Sequence, residues 1–189
     1  MLQPQLLTRV IKFLNDSHID YMVTGSIVSS LQGEPRATHD VDIVIDIRES
    51  SVLPLVTAFP PPDFYINEGS IKEAIMYKTM FNLLDTKEGD KIDFWILTDE
   101  PFDQSRFARK YEESVMNLVM KVSRPEDTIL AKLKWANFSG GSEKQFTDAL
   151  RIYEVQSGKL DLNYIQDWSG RLQVTGLWLE IKKHGKPLE

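Results

Sequence analysis

The sequence predicts an α+β fold, in which a mixed β-sheet is flanked by helices and followed by a C-terminal helical part. Two observations lead to this prediction. Within the first 122 residues, short apolar runs of strand length alternate with stretches of helical spacing. From Ser123 onward only helical patterns occur. We therefore predict a core over residues 1–122 and a helical part over residues 123–189, packed on the core.

The first helix is predicted over residues 2–15. Its apolar side chains recur at spacings of three and four residues, so they form one stripe that packs on the sheet. The stripe consists of Leu6, Leu7, Val10, Ile11 and Leu14.

The next stretch predicts a strand, a turn, a short helix and a second strand. Residues 21–23 form an apolar run that suits a buried strand. Gly25 turns the chain into a helix over residues 27–31, which ends before Pro35. The apolar run over residues 41–47 then predicts the second strand.

The remaining elements of the core continue this alternation. Helices are predicted over residues 50–59, 68–78 and 100–110, the last as a helix or a capped loop. Strands are predicted over residues 64–66, 80–84, 91–97, 115–116 and 118–122. The pair 80–84 and 91–97 flanks a polar loop that contains Gly89, which indicates a hairpin.

Four helices are predicted in the C-terminal part. The sequence Ser123-Arg124-Pro125 followed by acids is a typical helix start. The helices cover residues 124–135, 143–156, 161–168 and 172–183, and residues 139–142 link the first two.

Two carboxylates lie at the start of the predicted strand 41–47. Side chains alternate faces along a strand, so Asp40 and Asp42 share a face and lie about 7 Å apart. In an apolar setting they would repel each other, so a cation should neutralise them. Mg²⁺ takes oxygen ligands from one or two carboxylates together with substrate phosphates. We therefore predict a divalent metal site on this face.

Gly25 and Ser26 predict an anion site beside it. A helix that begins there presents free backbone N–H groups and the positive end of its dipole. Glycine lets the backbone approach a phosphate closely, and the serine hydroxyl caps the helix or donates to the phosphate.

This combination resembles a known family. Residues 25–26 read GS, and residues 36–42 read RATHDVD after the short helix. The pattern resembles the nucleotidyltransferase superfamily with the DNA polymerase beta-like core, in particular the small bacterial enzymes of the AbiEii toxin type. The resemblance covers most of the chain. It implies transfer of a nucleoside monophosphate from an NTP to an acceptor hydroxyl, with Mg²⁺ or Mn²⁺ as the metal.

Asp93 is an acid inside the apolar run 91–97. An unpaired carboxylate there is costly, so it should contact a metal or a cation. The resemblance implies that Asp93 is the third carboxylate of the metal site, supplied by the strand next to Asp40 and Asp42. The alternative is a structural ion pair with Lys91 or Arg36.

The resemblance also implies roles for two residues of the helical part. Lys132 matches the helix lysine that faces the triphosphate, and Asp148 matches an acid that orients it. Each has a plain alternative. Lys132 could extend its aliphatic stem along an amphipathic helix, and Asp148 could pair with Arg151 on the same helix.

Basic residues near the predicted site have two interpretations. Arg36 lies just before the carboxylates and either contacts a phosphate or the acceptor, or pairs with Asp42 or Asp46. The basic stretch 106–110 either forms a rim that meets triphosphate or RNA, or is a solvated face.

Composition limits the functional classes. The chain of 189 residues contains no cysteine, which excludes a disulfide framework and a thiolate metal site. No apolar run approaches the roughly 20 residues that span a bilayer, and the start of the chain lacks a signal-peptide pattern, so we expect a cytoplasmic protein without a membrane partner. The net charge of −6 argues against broad binding to nucleic acid, although a local basic groove for an RNA end stays open.

Three functions remain open at this stage. The first is a nucleotidyltransferase whose acceptor is an RNA end, a protein or a small molecule. The second is a toxin with this chemistry aimed at tRNA. The third is a catalytically silent nucleotide-binding or antitoxin-type module. A cognate partner protein is expected to supply specificity in some of these cases.

Overall fold

The computed structural model describes residues 4–35, 40–115 and 118–186. Its strands are β1 (Asp20–Thr24), β2 (Asp40–Asp46), β3 (Phe64–Tyr65), β4 (Met80–Asp85), β5 (Lys91–Ile96), β6 (Tyr111–Val115) and β7 (Leu118–Val122). Its helices are α1 (Pro4–Asp16), α2 (Gly25–Gln32), α3 (Val52–Ala58), α4 (Glu68–Tyr77), α5 (Pro101–Arg109), α6 (Pro125–Phe138), α7 (Glu143–Gln156), α8 (Leu162–Arg171) and α9 (Thr175–His184). A 3₁₀ turn over Glu49–Ser51 precedes α3.

The chain forms two compact units. Unit 1 comprises the described residues of Met1–Ile27 and Ala37–Val122, and unit 2 those of Val28–Arg36 and Ser123–Glu189. One of the three boundaries falls between Val122 and Ser123, where the sequence pattern changes, and another falls within α2.

Unit 1 contains the sheet. The strand order is β3-β4-β5-β2-β1-β7-β6, with seven strands in the described residues. The pairs β1–β7 and β2–β5 are parallel and the others antiparallel, so the sheet is mixed, as the sequence predicts. The α+β fold with helices beside a mixed sheet is therefore confirmed.

Buried apolar side chains lie on the helices and on the sheet of unit 1. All five residues of the predicted stripe on α1 are buried, as expected of a helix that packs on a sheet. A second cluster joins α5 to the sheet, where Phe107 packs with Met22 and Val44. Val44 lies two residues beyond Asp42 and shares its strand face. Asp42 is therefore next to a packed apolar cluster.

Unit 2 combines four C-terminal helices with the end of α2. The side-chain amide of Gln32 donates to the backbone oxygen of Ser123 at 2.6 Å, and Gln156 donates to the backbone oxygen of Gln32 at 2.8 Å. A Cβ on Gly33 would lie 3.0 Å from the backbone nitrogen of Ile152. The end of α2 therefore packs closely against α6 and α7.

Several element boundaries differ from the sequence prediction by one to four residues, and two of these differences have a clear structural cause. The strand predicted at residues 115–116 is β6, which begins at Tyr111. Glu112 and Ser114 alternate with half-buried residues at the sheet edge, where charged side chains are common, and these polar residues concealed the strand. Residues 116 and 117, the predicted tip of this hairpin, lie outside the described residues.

The last helix, α9, begins at Thr175 and not at residue 172. Here α8 continues to Arg171, and Gln173 then adopts the left-handed conformation with φ of 58°. The N–H of Val174 donates to the oxygen of Ser169 at 2.9 Å, which caps α8. This cap separates the two helices. None of the helices in the described residues combines the length and apolar character needed to cross a bilayer.

Candidate active site

Strand register brings the predicted carboxylates together. In the parallel pair β2–β5, Asp42 lies beside Asp93 and Asp40 lies beside Lys91. Paired residues of neighbouring strands point to the same face, and the strands are about 4.8 Å apart. Asp40, Asp42 and Asp93 therefore share one face at the beginning of β2 and β5.

The three carboxylates differ in burial. Asp40 is exposed, Asp42 is half-buried and Asp93 is buried. The face thus presents a series of oxygen atoms from solvent into the sheet, and charge on the innermost carboxylate is screened least by water.

A lysine lies between two of these carboxylates. The ammonium of Lys91 is 2.9 Å from Oδ2 of Asp93 and 3.7 Å from Oδ1 of Asp40. The hydrogen bond to Asp93 raises the pKa of Lys91 above its usual value, and the charges of Asp93, Asp40 and Asp42 add to this against the effect of burial. The ion pair with Lys91, which the sequence left open as an alternative for Asp93, is therefore present.

Two neutral side chains fix the carboxylates, and the sequence analysis did not predict either contact. The indole Nε1 of Trp95 donates to Oδ1 of Asp42 at 3.0 Å, and the side-chain amide of Asn82 donates to Oδ1 of Asp93. The register of the strands positions both donors. Asn82 is paired with Asp93 across β4 and β5, and Trp95 lies two residues beyond Asp93, the partner of Asp42 on β5. Asn82 could have been noticed in the sequence, because it is a polar amide inside the apolar run 80–84.

Gly25 lies against the Asp42 carboxylate. Its φ is +71°, a conformation that glycine adopts without strain, and it follows Thr24, which pairs with Asp42 across β1 and β2. A Cβ at this position would lie 1.9 Å from Oδ2 of Asp42. Only glycine fits here. Helix α2 begins at Gly25, so Gly25 and Ser26 lie at its N-terminus, as the predicted anion site requires.

The donor chemistry of this face fits a hard divalent cation. The side chains are carboxylates, the oxygen ligands that Mg²⁺ and Mn²⁺ prefer, and the Lys91 ammonium shows that a positive charge is accommodated between Asp40 and Asp93. Across residues 4–35, 40–115 and 118–186, no group of three or more histidine, cysteine, aspartate or glutamate side chains is arranged as a metal site. Metal ligation by Asp40, Asp42 and Asp93 remains a prediction.

Lys132 and Asp148 belong to unit 2 and contact each other. The ammonium of Lys132 is 2.8 Å from Oδ2 of Asp148, and the side chains are only 6% and 10% exposed. Arg151, the alternative partner predicted for Asp148, pairs with Glu154 at 2.7 Å and with Glu34 at 3.1 Å. The proposed role of Lys132 toward a triphosphate stays a prediction. Arg36 lies outside the described residues.

The basic stretch at the end of α5 forms contacts inside unit 1. Lys110 is 2.8 Å from Oδ2 of Asp20, and Lys121 on β7 is 2.7 Å from Oδ1 of the same carboxylate. Arg106 pairs with Asp103 at 3.0 Å. Burial raises the pKa of Asp20, but hydrogen bonds and charge from Lys110 and Lys121 outweigh it and hold that pKa below its usual value.

Comparison with solved structures identifies the fold. An antigenic nucleotidyltransferase-like protein from Paracoccidioides brasiliensis matches with a TM-score of 0.55 and 18% identity, over 97% of this chain and 93% of that chain. The chain has the nucleotidyltransferase fold. The antibiotic-resistance factor ANT(2")-Ia, in complex with adenylyl-2"-tobramycin, matches with a TM-score of 0.59 and 10% identity, over 93% and 99% of the two chains.

A third nucleotidyltransferase structure gives the same result. The lincosamide antibiotic adenylyltransferase LnuA, bound to lincomycin, matches with a TM-score of 0.54 and 13% identity, over 80% of this chain and 96% of that chain. Comparison with protein-family models and with curated proteins gives no match. The similarity at these identities therefore concerns the fold, and the finer resemblance to AbiEii-type proteins remains a proposal.

Proposed function

We propose that this protein is a metal-dependent nucleotidyltransferase, which moves a nucleoside monophosphate from an NTP to an acceptor hydroxyl and releases pyrophosphate. One observation carries the proposal. Asp40, Asp42 and Asp93 share a face across β2 and β5, and Gly25 lies against Asp42 at the N-terminus of α2. The carboxylate face that we propose for the metal and the helix start that we propose for the phosphates thus belong to unit 1 and meet where Gly25 lies against Asp42.

Each candidate residue has a proposed role. The N-terminus of α2 binds the phosphates through backbone N–H groups, and Ser26 adds a hydroxyl. Lys132, positioned by Asp148, and Arg36 offset the charge that develops on the leaving pyrophosphate. What supports this role is the contact between Lys132 and Asp148 at 2.8 Å, which agrees with the positioning of the lysine by the acid that the resemblance implies.

The acceptor oxygen attacks the α-phosphorus, the bond from that phosphorus to the pyrophosphate oxygen breaks, and Asp93 takes the hydroxyl proton. When bound by Asp40, Asp42 and Asp93, Mg²⁺ or Mn²⁺ supplies Lewis-acid stabilisation of the phosphate charge. Trp95 and Asn82 hold the Asp42 and Asp93 carboxylates in place during the reaction.

Transfer of label tests the proposal directly. The protein is incubated with Mg²⁺ and each of the four NTPs labelled at the α-phosphorus, together with total tRNA, with a cell lysate or with no added acceptor. We expect label on one acceptor class with the native chain and none with Asp42→Asn. Asp46→Asn, at the exposed end of the same strand, is the matched control and should retain transfer. Label transfer that survives Asp42→Asn would reject the site assignment.

One observation favours a second function, a catalytically silent nucleotide-binding or antitoxin-type module. The ammonium of Lys91 pairs with Asp93 and approaches Asp40, so the chain itself supplies a positive charge to the carboxylate face. A binding module needs the fold and the phosphate site but no metal-activated acceptor. Saturable NTP binding without label transfer to any acceptor would support this alternative over the enzyme.

The acceptor and the biological role belong to the same proposal. The sequence resemblance points to an AbiEii-type toxin, for which tRNA is the candidate acceptor and a cognate protein the candidate partner. Similarity to ANT(2")-Ia with adenylyl-2"-tobramycin and to lincomycin-bound LnuA makes a small molecule the other candidate. Growth arrest on expression, relieved by Asp40→Ala, would favour the toxin.

A further inference from the structure

A groove of about 340 Å³ lies in unit 1 between β4 and α4. We call it the β4–α4 groove. Its described lining includes Tyr65, Ser70, Glu73, Met80 and Asn82. The volume lies at the lower end of the range of small-molecule sites in proteins, so it suits a ligand of one or two rings.

Asn82 connects this groove to the carboxylate face. Asn82 is one of the residues that line the groove, and its side-chain amide donates to Oδ1 of Asp93. Asn82 and Asp93 are also direct neighbours across β4 and β5. A hydroxyl bound at the Asn82 end of the groove would thus lie near the residue whose side chain contacts the Asp93 carboxylate.

Backbone groups of β4 add hydrogen-bonding capacity. Of the strands in the described residues, β3 pairs with the outer edge of β4 only at Leu84 and Asp85. The edge from Met80 to Leu83 has no strand partner on that side. Unpaired N–H and C=O groups of an edge strand are available to a ligand, and they suit the hydroxyl groups of a polyol.

The negative charge in the groove favours a cationic ligand over an anionic one. Glu73 is exposed and is the one charged side chain among the described residues that line the groove. A polyanionic RNA end needs lysine or arginine contacts, which this lining does not offer. A protonated amine is attracted to Glu73, and the ring of Tyr65, 58% exposed, offers a surface for a sugar ring or a cation.

We propose that the β4–α4 groove binds the acceptor, and that this acceptor is a small hydroxylated molecule with a protonated amine. The amine pairs with Glu73, and the reacting hydroxyl lies at the Asn82 end, beside Asp93. The role of this molecule as acceptor rests on the proposed function. Its binding in the groove does not, because binding needs neither NTP nor metal.

Glucosamine and glucose are the probes, because they differ in the amine alone. Each is titrated into the ¹⁵N-labelled protein without NTP or metal, and amide shifts are followed by NMR. We expect saturable shifts at Tyr65, Ser70 and Asn82 with glucosamine and weaker binding of glucose. Glu73→Gln should lower the glucosamine affinity about threefold, the effect of an exposed ion pair, and remove the preference over glucose. Glu68→Gln, which removes the same charge from the same helix outside the groove lining, should change neither.

Several outcomes overturn the inference: no saturable shift with glucosamine, shifts confined to other surfaces, or a preference that survives Glu73→Gln. Tighter binding in the groove by an RNA tetranucleotide or by a short extended peptide along the β4 edge also overturns it. Failure of the two proposals is distinguishable. Glucosamine binding without any label transfer rejects the proposed function alone, whereas label transfer without binding in the groove rejects this inference alone.

Discussion

The ammonium of Lys91 bridges two carboxylates of the same face, at 2.9 Å from Asp93 and 3.7 Å from Asp40. The residue that precedes Asp93 by two positions thus provides the positive charge that the face requires when no metal is bound. A divalent cation on the same face would compete with this ammonium for Asp93. Lys91 is therefore expected to set both the stability of the face and its affinity for metal.

Replacement of Lys91 by methionine keeps most of the aliphatic stem and removes the charge. We expect the free energy of unfolding to fall by about 1–2 kcal/mol, since the half-buried Asp42 and the buried Asp93 lose a charged neighbour. Millimolar Mg²⁺ should stabilise Lys91→Met more than the native chain, because the cation replaces the ammonium. Urea unfolding with and without Mg²⁺ measures both effects.

Lys87→Met is the matched control for this experiment. Lys87 pairs with Asp63 at 2.8 Å, but its side chain is 66% exposed and lies outside the carboxylate face. It should lose little stability and respond to Mg²⁺ as the native chain does. An equal response of Lys91→Met and Lys87→Met would contradict competition between the lysine and a metal.

Substitution of Gly25 by alanine tests the close approach to Asp42. We expect two costs, strain from the φ of +71° and a clash of the new Cβ with the Asp42 carboxylate. Gly89→Ala provides the comparison, since its φ is +77° but its Cβ would meet nothing within 4 Å. Gly89→Ala should cost about 1–2 kcal/mol and Gly25→Ala about 1–3 kcal/mol more, with loss of label transfer only at Gly25. Equal losses of stability would show that Asp42 yields to the methyl group.

Exchange of Asp42 for asparagine should abolish catalysis while it preserves the fold. Asparagine is nearly isosteric and its side-chain oxygen can still accept from Trp95, which now donates to Oδ1 of Asp42 at 3.0 Å. The charge that would hold a metal is lost, so label transfer should fall at least about a hundredfold. The measurement pairs initial rates with thermal unfolding, and an unchanged rate would remove Asp42 from the site.

Acid should weaken the contact between Asp20 and its two lysines. The pKa of Asp20 is held below its usual value, so its contribution to stability is present above the unfolded-state pKa and is lost as the pH falls through the folded-state pKa. Because the carboxylate is 43% exposed, we expect Asp20→Asn to cost under about 1 kcal/mol at neutral pH. Urea unfolding of both proteins should give equal stabilities near pH 2, about two units below the ordinary aspartate pKa. A difference that persists there would mean that packing, and not charge, sets the contribution of Asp20.

The Lys132–Asp148 pair allows structural and functional roles to be separated. Removal of one partner, as in Asp148→Ala, should cost about 3–5 kcal/mol because it leaves a buried ammonium without its carboxylate. The double replacement Lys132→Met with Asp148→Leu should recover much of that loss, yet it should not restore label transfer. Asp167→Ala breaks the exposed pair with Arg171 and serves as the control, with an expected loss under about 1 kcal/mol. A double variant with full activity would leave Lys132 a structural role only.

The sequence pattern located most of the strands and two of the carboxylates, and the resemblance added Asp93 as the third. Apolar runs and their polar interruptions located six of the strands of the described residues, and strand alternation placed Asp40 and Asp42 on one face. The edge strand β6 was displaced because its polar residues do not form an apolar run.

Side-chain contacts between neighbouring strands could not be predicted from the sequence. Lys91 was recognised as an alternative partner of Asp93, but the donors Trp95 and Asn82 were not, since their positions depend on which strands are neighbours and in what register. Local pattern carries no information on register between strands that are far apart in the chain. The same limit applies to Arg151, whose partners Glu154 and Glu34 lie at very different sequence separations.

The division of α2 between the two units has a consequence for the order of folding. Residues 28–35 leave the ribosome early, but their partners Ser123 and Gln156 lie 91 and 124 residues from Gln32 and are synthesised late. The contacts of Gln32 in unit 2 can therefore all be in place only after residue 156 has emerged, and they are contacts of long range whose loop entropy slows folding. The first residues of α2 thus emerge together with their neighbours β1 and β2, whereas the last residues of the same helix gain the last of these partners only after more than a hundred further residues have been added.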